Sequence, residues 1–392
     1  MFAVFPAARK TLRRTALALS ALLLAACEPI PGGLSSGPSG GSSDPIPVAL
    51  LVPSGSGNMT DELLARSLEN AARLAMRDLN GVTIDLRVYQ TAANADLAAA
   101  NAAKAVDEGA KIILGPVYAT TANAVGRAVA GDGVNVLAFS NNAQIAGGNV
   151  FVLGQTFQDT ANRVTQYAAS QGKSRYVIVH SGDVAGTVGR DAITRAVSAN
   201  GGTVTASVSY ALSQQDVLAS IPRIKEAVDS TAADGLFMTA ASASALPLLA
   251  QLLPEAGVTP QITQFMGLTR WDIPSQTLTL PGIQNGWFAM PDPGAAARFS
   301  NQYQNTYNEA PHAIGGLAFD GIAAIGALAS QGSNNALTAS ALTQGAGFRG
   351  ASGIFRLLPD GTNQRGLAIA TVRDAQVSIL SAAPQSFRGA GF

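Results

Sequence analysis

Short apolar runs alternate with helical segments along most of this chain, and Lys111–Ser140 shows the pattern in full. The run Ile112–Leu114 ends at Gly115-Pro116. A helix with apolar residues near helical spacing follows, and a second apolar run, Val134–Phe139, comes after it. A strand, a helix and a strand in this order predict two parallel neighbouring strands, because a parallel connection needs a crossover of a dozen or more residues.

The same order recurs on both sides of this unit. Further strands are predicted at 47–53, 83–90, 150–153, 175–181, 203–211, 235–239, 261–267 and 286–290, with helices at 58–80, 94–108, 159–171, 187–200, 215–229 and 243–256. This alternation is typical of a doubly wound α/β fold. The length of 392 residues favours two lobes of four to five strands over a single large sheet.

The end of the chain departs from the alternation. Two helices are predicted at 294–308 and 313–331, followed by strands at 353–358, 366–373 and 376–380. The turn Pro359-Asp360-Gly361 predicts a hairpin that joins the first two of these strands.

Polar side chains follow the two strands of the Lys111–Ser140 unit. Open α/β sheets bind ligands beyond the carboxyl ends of their strands. We therefore expect Tyr118–Thr121 and Ser140–Gln144 to line a cleft, with Ser54 after the first strand at the same edge.

The composition argues against several classes of function. Lys plus Arg and Asp plus Glu both number 25, so no basic surface for nucleic acid is predicted. With carboxylates scattered singly and one cysteine, no catalytic residue, metal site or cofactor is predicted. His180 ends an apolar strand and is interpreted as structural or cleft-lining, whereas His312 is interpreted as exposed. Trp271 and Trp287 are interpreted as core or hinge residues more readily than as ligand contacts.

Two glycine motifs match enzyme signatures only by their letters. Residues 33–37 read G-x-S-x-G and residues 345–350 read G-x-G-x-x-G. The first motif works only on a turn between a strand and a helix, and the second only after a strand that leads into a helix. Neither context is present here, so both matches are interpreted as chance.

The N-terminus predicts export and a lipid anchor. Four basic residues precede the apolar stretch Ala16–Ala26, which is too short to span a bilayer as a helix. The following Leu24-Ala25-Ala26-Cys27 resembles the lipobox of bacterial lipoproteins, which implies a signal peptide over 1–27 and acylation of Cys27. An ordinary signal peptide with an incidental cysteine is the alternative. Glu28, by the same resemblance, favours the outer membrane of a Gram-negative bacterium, and the Pro/Gly/Ser-rich 28–45 predict a flexible tether.

The order of elements, the strand that ends in Gly115-Pro116 and the run that ends before Ser140 together resemble a type I periplasmic binding protein. The leucine/isoleucine/valine-binding family is the most similar group, and the resemblance covers about 46–385. It implies an α/β fold of two doubly wound parallel-sheet lobes joined by crossover strands, with a ligand between them. Lobe one would comprise about 46–155 and 290–340, and lobe two about 156–289 and 341–385.

The resemblance also implies ligand contacts. In amino-acid receptors of this family the ligand carboxylate sits at the turn after Gly-Pro, which corresponds here to Ala119, Thr120 and Thr121. The other positions implied are Ser140, Asn141, Asn142 and Gln144 in lobe one, and Asp183, Val188, Ala241 and Ser242 in lobe two. No acid follows strand 235–239 to hold an ammonium group, although Asp183 or Asp272 could substitute for it.

A tethered lipoprotein of this family resembles either of two groups. One comprises receptors of ABC importers, and the other comprises activators of penicillin-binding proteins. The segments Pro311–Gly321 and Gly353–Ile369 resemble the activators more. The leading hypothesis is therefore a non-catalytic, lipid-anchored periplasmic protein whose partner is a peptidoglycan synthase. The alternative is a receptor that passes an amino acid, an amide or another small polar solute to an ABC permease.

Overall fold

The computed structural model describes residues 44–333 and 335–387. Cys27 and the predicted tether up to residue 43 lie outside the described residues. Within the described residues, no helix is both long and apolar enough to cross a membrane.

The first sheet has five parallel strands in the order β2-β1-β3-β4-β5. They are β1 (Ile46–Val52), β2 (Ile84–Gln90), β3 (Ile112–Leu114), β4 (Asn135–Ala138) and β5 (Val150–Val152). Along β1, Leu50 packs on one face of the sheet whereas Ala49 and Leu51 pack on the other, and all three are buried. Such strands are apolar throughout because helices cover both faces of a parallel sheet.

Helices cover this sheet on both faces and complete what we call lobe one. The face that carries Leu50 packs against α1 (Met59–Arg77) and α9 (Gly316–Ala329), and the other face packs against α2 (Ala95–Asp107) and α3 (Ala119–Ala128). Two further helices contribute to the α1/α9 side, namely α8 (Pro293–Tyr307) and α10 (Ala339–Leu342). The side chain of Asn58 caps α1 by accepting a bond from the Thr60 N–H at 2.9 Å.

The second sheet has seven strands in the order β15-β14-β10-β9-β8-β6-β7, and it forms the centre of lobe two. The parallel part repeats the strand order of lobe one and contains β6 (Arg175–Ser181), β7 (Thr203–Tyr210), β8 (Gly235–Met238), β9 (Gln264–Gly267) and β10 (Trp287–Pro291). The antiparallel edge contains β14 (Leu367–Arg373) and β15 (Gln376–Ser381). One face packs against α4 (Phe157–Ser170) and α5 (Val184–Ala199), and the other against α6 (Gln214–Thr231) and α7 (Leu246–Glu255).

A third, antiparallel sheet joins the two lobes. It contains β11 (Phe348–Gly350), β12 (Gly353–Leu357) and β13 (Asn363–Arg365). The expected lobe boundary differs here, because Phe348 and Phe355 bury their rings in the lobe-one core, so that 341–365 pack with lobe one. The Pro359–Gly361 turn joins β12 to the short β13, whereas the strand predicted at 366–373 pairs with β10 instead.

The predicted fold class is confirmed: an α/β protein with two parallel-sheet lobes that helices flank. The described chain passes between the lobes near 153–156, 291–293 and 365–367. Three short 3₁₀ helices, Ala143–Ile145, Ser275–Thr279 and Pro281–Ile283, were not predicted. Trp271 is fully buried against Phe288 with ring centroids 6.2 Å apart, which confirms its interpretation as a core residue.

Candidate functional site

A cavity of about 520 Å³ lies between the lobes, at the carboxyl ends of β3 and β4. Lobe two contributes Arg270 and Ile273, which follow β9. The remaining lining comes from the strand ends of lobe one, the start of α9 and the three crossings: Val117, Tyr118, Ala119, Phe139, Ser140, Asn141, Asn142, Gly154, Gln155, Pro291, Ala313, Ile314, Gly316, Leu317, Ser352, Arg365 and Leu367.

The end of β3 reaches the cavity because residue 115 is a glycine. Gly115 has φ +84°, and a Cβ atom there would lie 2.3 Å from the carbonyl oxygen of Leu51 in β1. The Gly115 N–H donates to Leu137 O at 2.8 Å, and the Phe139 N–H donates to Pro116 O at 2.9 Å. These bonds fix the two strand ends side by side at the edge of the cavity.

Tyr118 presents a neutral hydroxyl-bearing ring at the cavity. Its O–H donates to the Asp61 carboxylate, which also accepts a bond from Ser56 Oγ at 2.7 Å. The hydrogen bond to the carboxylate is the main cause that raises the pKa of Tyr118 to about 12. Asp61 is buried, and each of its two carboxylate oxygens accepts a bond from a partner within lobe one.

The first turn of α3 borders the cavity and lacks a side-chain cap. The N-cap residue Tyr118 makes no capping bond, which leaves backbone N–H groups at a helix end that favours anions. Ala119 lines the cavity, but Thr120 and Thr121 do not. The Thr121 hydroxyl is buried and donates to Tyr118 O at 2.8 Å, so it serves the helix turn rather than the cavity.

The residues after β4 divide into a cavity-lining part and a part that turns away. Ser140, Asn141 and Asn142 line the cavity, and Ser140 is only 5% exposed. Ser140 Oγ accepts from the Asn142 N–H at 3.1 Å, and Asn142 Oδ1 accepts from the Gln144 N–H at 2.9 Å. These bonds build the 3₁₀ turn that places Gln144 on the exposed surface, outside the cavity lining.

The four positions implied in lobe two do not line the cavity, and neither does Ser54. Asp183 caps α5 by accepting bonds from Ser181 Oγ at 2.6 Å and the Gly186 N–H at 2.9 Å, and these donors lower its pKa. Val188 and Ala241 are half-buried away from the cavity. The Ser242 hydroxyl donates to Ile273 O at 2.5 Å, so it supports a residue that does line the cavity.

Two arginines that the sequence did not indicate contribute the charged groups of the lining. Arg270 binds Asp272 with two nitrogens, one of them Nε at 2.9 Å from Oδ1. Arg365 pairs with Asp320 at 2.9 Å, and their side chains are 6% and 0% exposed. Arg270 lies a few residues after a predicted strand end, and this position was the one signal that could have indicated it. The stretch around it has no helical or strand periodicity, so the direction of its side chain could not be predicted.

Arg365 connects the cavity to the joint between the lobes. Its Nε donates to Leu153 O at 3.1 Å, and its guanidinium lies 5.2 Å from the centre of the Phe355 ring. Asp159 of α4, which is buried nearby, also interacts with Arg365. Across 44–333 and 335–387, no group of three or more His, Cys, Asp or Glu residues is placed to hold a metal ion.

Residues 45–376 match the family model described as periplasmic binding protein. The chain belongs to this family. Membership implies a periplasmic location for the protein. A comparison with curated proteins finds no match for this periplasmic binding protein.

Solved structures with the same fold cover most of this periplasmic binding protein. A protein from Rhodospirillum rubrum, described as a branched-chain amino acid ABC transporter, is 17% identical with a TM-score of 0.73, over 86% of this chain and 100% of its own. A branched-chain amino acid transporter substrate-binding protein from Streptococcus pneumoniae, in complex with isoleucine, is 14% identical with a TM-score of 0.58, over 87% and 100%. A solute-binding protein from R. palustris, in complex with benzoate, is 16% identical with a TM-score of 0.56, over 87% and 97%.

Proposed function

We propose that this protein is a non-catalytic, solute-binding receptor of an ABC importer, and that it holds its ligand in the cavity between the lobes. The cavity itself carries the proposal: about 520 Å³ at the carboxyl ends of parallel strands, which is within the usual size of small-molecule sites. The similar structures from S. pneumoniae and R. palustris hold isoleucine and benzoate, so the fold accepts more than one class of small solute.

The arrangement of the lining supports a clamp. Lobe one supplies two strand ends and the start of α3, while lobe two supplies Arg270 and Ile273 from the opposite side. A ligand that first contacts lobe one would favour closure only if it gains further contacts with lobe two in the closed form. The permease would then distinguish the loaded receptor from the empty one by the closed arrangement of the lobes.

The test is a screen of small solutes by thermal unfolding. A ligand at 100 times its Kd stabilises the folded state by about 2.7 kcal/mol. Ala119→Phe places a ring at the cavity and should abolish the stabilisation, whereas Thr120→Phe lies on the same turn outside the lining and should preserve it. If Thr120→Phe abolished binding and Ala119→Phe did not, the ligand would be located elsewhere.

The anchor and the tether are part of the same proposal. We propose that Cys27 is acylated, that 1–27 are the signal peptide with this cysteine, and that 28–45 tether the protein to the outer membrane. Labelled palmitate tests the anchor. Cys27→Ser should lose the label and leave the membrane fraction, and retention of both by the variant would refute the anchor.

Activation of a peptidoglycan synthase is the second candidate, which the lipobox and the tether support. It ranks below the receptor because the segments that resembled activators contribute to the cavity here, through Ile314, Leu317 and Arg365. Cross-linking in intact cell envelopes separates the two. Recovery of transporter subunits supports the receptor, and recovery of a synthase without them supports the activator.

A further inference from the structure

The charged side chains that line the cavity are all cationic. Of the described lining residues, Arg270 and Arg365 carry charge, and none is an aspartate or a glutamate. A free amino acid brings both a carboxylate and an ammonium group into such a cleft. An ammonium group that loses water without gaining a carboxylate partner is strongly unfavourable.

The acids closest to the cavity already have partners inside the protein. Asp61 accepts from Tyr118 and Ser56 in lobe one. Asp272 is held by Arg270 in lobe two. Other acids near the junction are also occupied: Asp320 by Arg365 and the Ala351 N–H, Asp159 by the N–H and the hydroxyl of Thr156, Asp183 by Ser181 and the Gly186 N–H, and Asp292 by the N–H groups of Gly294 and Ala295 and by Gln385.

Donors for an anion, by contrast, are available around the cavity. The Arg270 side chain is 33% exposed, and its Nη1 has no hydrogen-bond partner among the described residues. Ser140 Oγ accepts one bond, and its own O–H donates to no residue in the described part of the chain. The first turn of α3 borders the same cavity and has no side-chain cap, which adds a positive helix end.

Arg270 and Arg365 differ in what they can offer a ligand. Arg365 is nearly fully buried, and Asp320 and Leu153 O occupy its guanidinium. Arg270 lies on lobe two, opposite the strand ends of lobe one, and keeps part of its guanidinium free. Arg270 is therefore the cation that can contact a ligand from across the cleft.

The remaining lining describes the rest of the ligand. The side chains that face the cavity are largely apolar: Val117, Phe139, Pro291, Ile273, Ile314, Leu317 and Leu367. Polar groups are concentrated at the two strand ends and at Gln155 and Ser352. Such a lining suits a compact apolar body with one charged end.

We propose that the cleft selects small monocarboxylates that have an apolar body and no ammonium group, and that Arg270 is the lobe-two residue that binds the carboxylate. This inference rests on the proposed receptor function and specifies its ligand class. It also assigns a binding role to a residue outside the positions that the sequence indicated.

Matched pairs of probes test the ligand class by isothermal titration calorimetry. 4-Methylpentanoate is compared with leucine and with 3-methylbutylamine, and 3-phenylpropanoate is compared with phenylalanine. We expect at least one carboxylate to bind ten-fold or more tightly than its amino acid, and the amine to give no heat. Equal or tighter binding of the amino acid overturns the inference but leaves the receptor function intact. If neither carboxylate binds, the inference also fails, while the solute screen still decides the receptor function.

Variants test the role of Arg270. Arg270→Gln should weaken carboxylate binding ten-fold or more, and Arg270→Lys should restore part of the affinity. Asp272→Asn removes the competing carboxylate and should tighten binding, a gain that misfolding cannot imitate. Arg190→Gln is the control, because Arg190 forms a comparable pair with Asp191 on α5 outside the cavity. Unchanged affinity in both Arg270 variants, or weaker binding in Asp272→Asn, would overturn the assignment.

Discussion

Single residues determine how closely the strand ends of lobe one approach the cleft. Gly115 combines a positive φ with contact against the backbone of β1, whereas Gly133 has a positive φ of +70° and no atom within 4 Å of the place where a Cβ would lie. The two glycines therefore separate the cost of an unfavourable backbone conformation from the cost of a steric clash.

We predict that Gly115→Ala destabilises the protein considerably more than Gly133→Ala. Gly133→Ala is the control and should lower the free energy of unfolding by about 1–2 kcal/mol, the usual penalty for a residue with a Cβ atom in the left-handed conformation. Gly115→Ala adds a clash with Leu51 O and should exceed that cost or prevent folding. Urea unfolding measures both values, and equal destabilisation would show that β1 and β3 separate without penalty.

Asp159 makes stability depend on pH near neutrality. Burial is the main cause that raises the pKa of Asp159 to about 7 from the ordinary 3.8. Folding therefore takes up a proton between these values, so the free energy of unfolding falls as pH rises from about 4 to 7. Each unit by which the pKa of the folded state exceeds that of the unfolded state corresponds to about 1.4 kcal/mol of stability.

The Asp159→Asn variant should remove this dependence. We expect the wild type to lose stability between pH 5 and pH 8 relative to the variant, as measured by urea unfolding at each pH. Asp183 and Asp292 do not interfere, because their pKa values are lowered and their effects lie below pH 4. Burial also raises the pKa of Asp320, but Asp320 is present in both proteins, so the difference between their curves reports Asp159. Parallel curves for the two proteins would show that Asp159 is ionised in the folded state throughout.

At the residue scale, the sequence indicated cavity residues only where they end a regular strand. Tyr118, Ala119, Ser140, Asn141 and Asn142 follow β3 and β4, and the topology of a parallel sheet brings such positions together. Arg270 and Arg365 come from an irregular stretch and a three-residue strand, where no periodicity predicts which side chains face the cleft.

Elements of lobe one depend on a distant hairpin to cover the edge of their sheet. The hairpin β12–β13 lies along β5: the Val152 N–H donates to Gly361 O at 2.8 Å, and Asn363 Nδ2 donates to Val152 O and Gly154 O, both at 2.8 Å. An otherwise open strand edge is thereby paired, which also protects it from association with other chains.

We predict that Asn363→Ala destabilises the protein by about 1–3 kcal/mol, because two carbonyl oxygens lose their donor in a buried position. Hydrogen exchange at the Val152 amide should accelerate, since the hairpin then holds the edge less firmly. Gln364→Ala, whose side chain binds Arg356 on the same hairpin, is the control and should cost less. Equal exchange rates in both variants would contradict a role of Asn363 at the edge.

The strands and helices of the two lobes were predictable, whereas the strands β11 and β13 of the third sheet were not. Strand β6 was predicted at its observed bounds, because seven residues of apolar and β-branched sequence leave little alternative. β11 and β13 have three residues each, which is too short for a periodic pattern. Both pair with the neighbouring strand β12, and Phe348 and Phe355 pack in the core of lobe one. The lobe to which 341–365 belong depends on those tertiary contacts, so the local pattern could not assign it.

At the scale of the whole molecule, a buried ion pair between Arg365 and Asp320 lies where the chain passes from one lobe to the other. Arg365 stands where β13 of lobe one leads to β14 of lobe two, and it also binds Leu153 O at an earlier crossing. One guanidinium thus contacts two of the connections between the lobes. Its partner, Asp320, comes from α9 in lobe one.

We predict that Asp320→Asn destabilises the protein by about 3–5 kcal/mol, because it leaves the buried Arg365 charge without its ion-pair partner. Asp191→Asn breaks the exposed pair with Arg190 and should cost about 0–1 kcal/mol. Urea unfolding compares the two variants. A cost for Asp320→Asn as small as that of the control would mean that water reaches Arg365 in the folded protein.

The repeated crossing of the chain also determines where the molecule can be divided. Lobe one needs α9 from near residue 320 to cover α1 from near residue 60, so a fragment that stops after β10 would leave the apolar side of α1 exposed to water. If the chain were cut at a lobe boundary to make two fragments for a split reporter, both fragments would therefore be prone to aggregation. A fluorescent domain inserted at the exposed Gly201, in the turn that follows α5, leaves every crossing intact and suits a biosensor better.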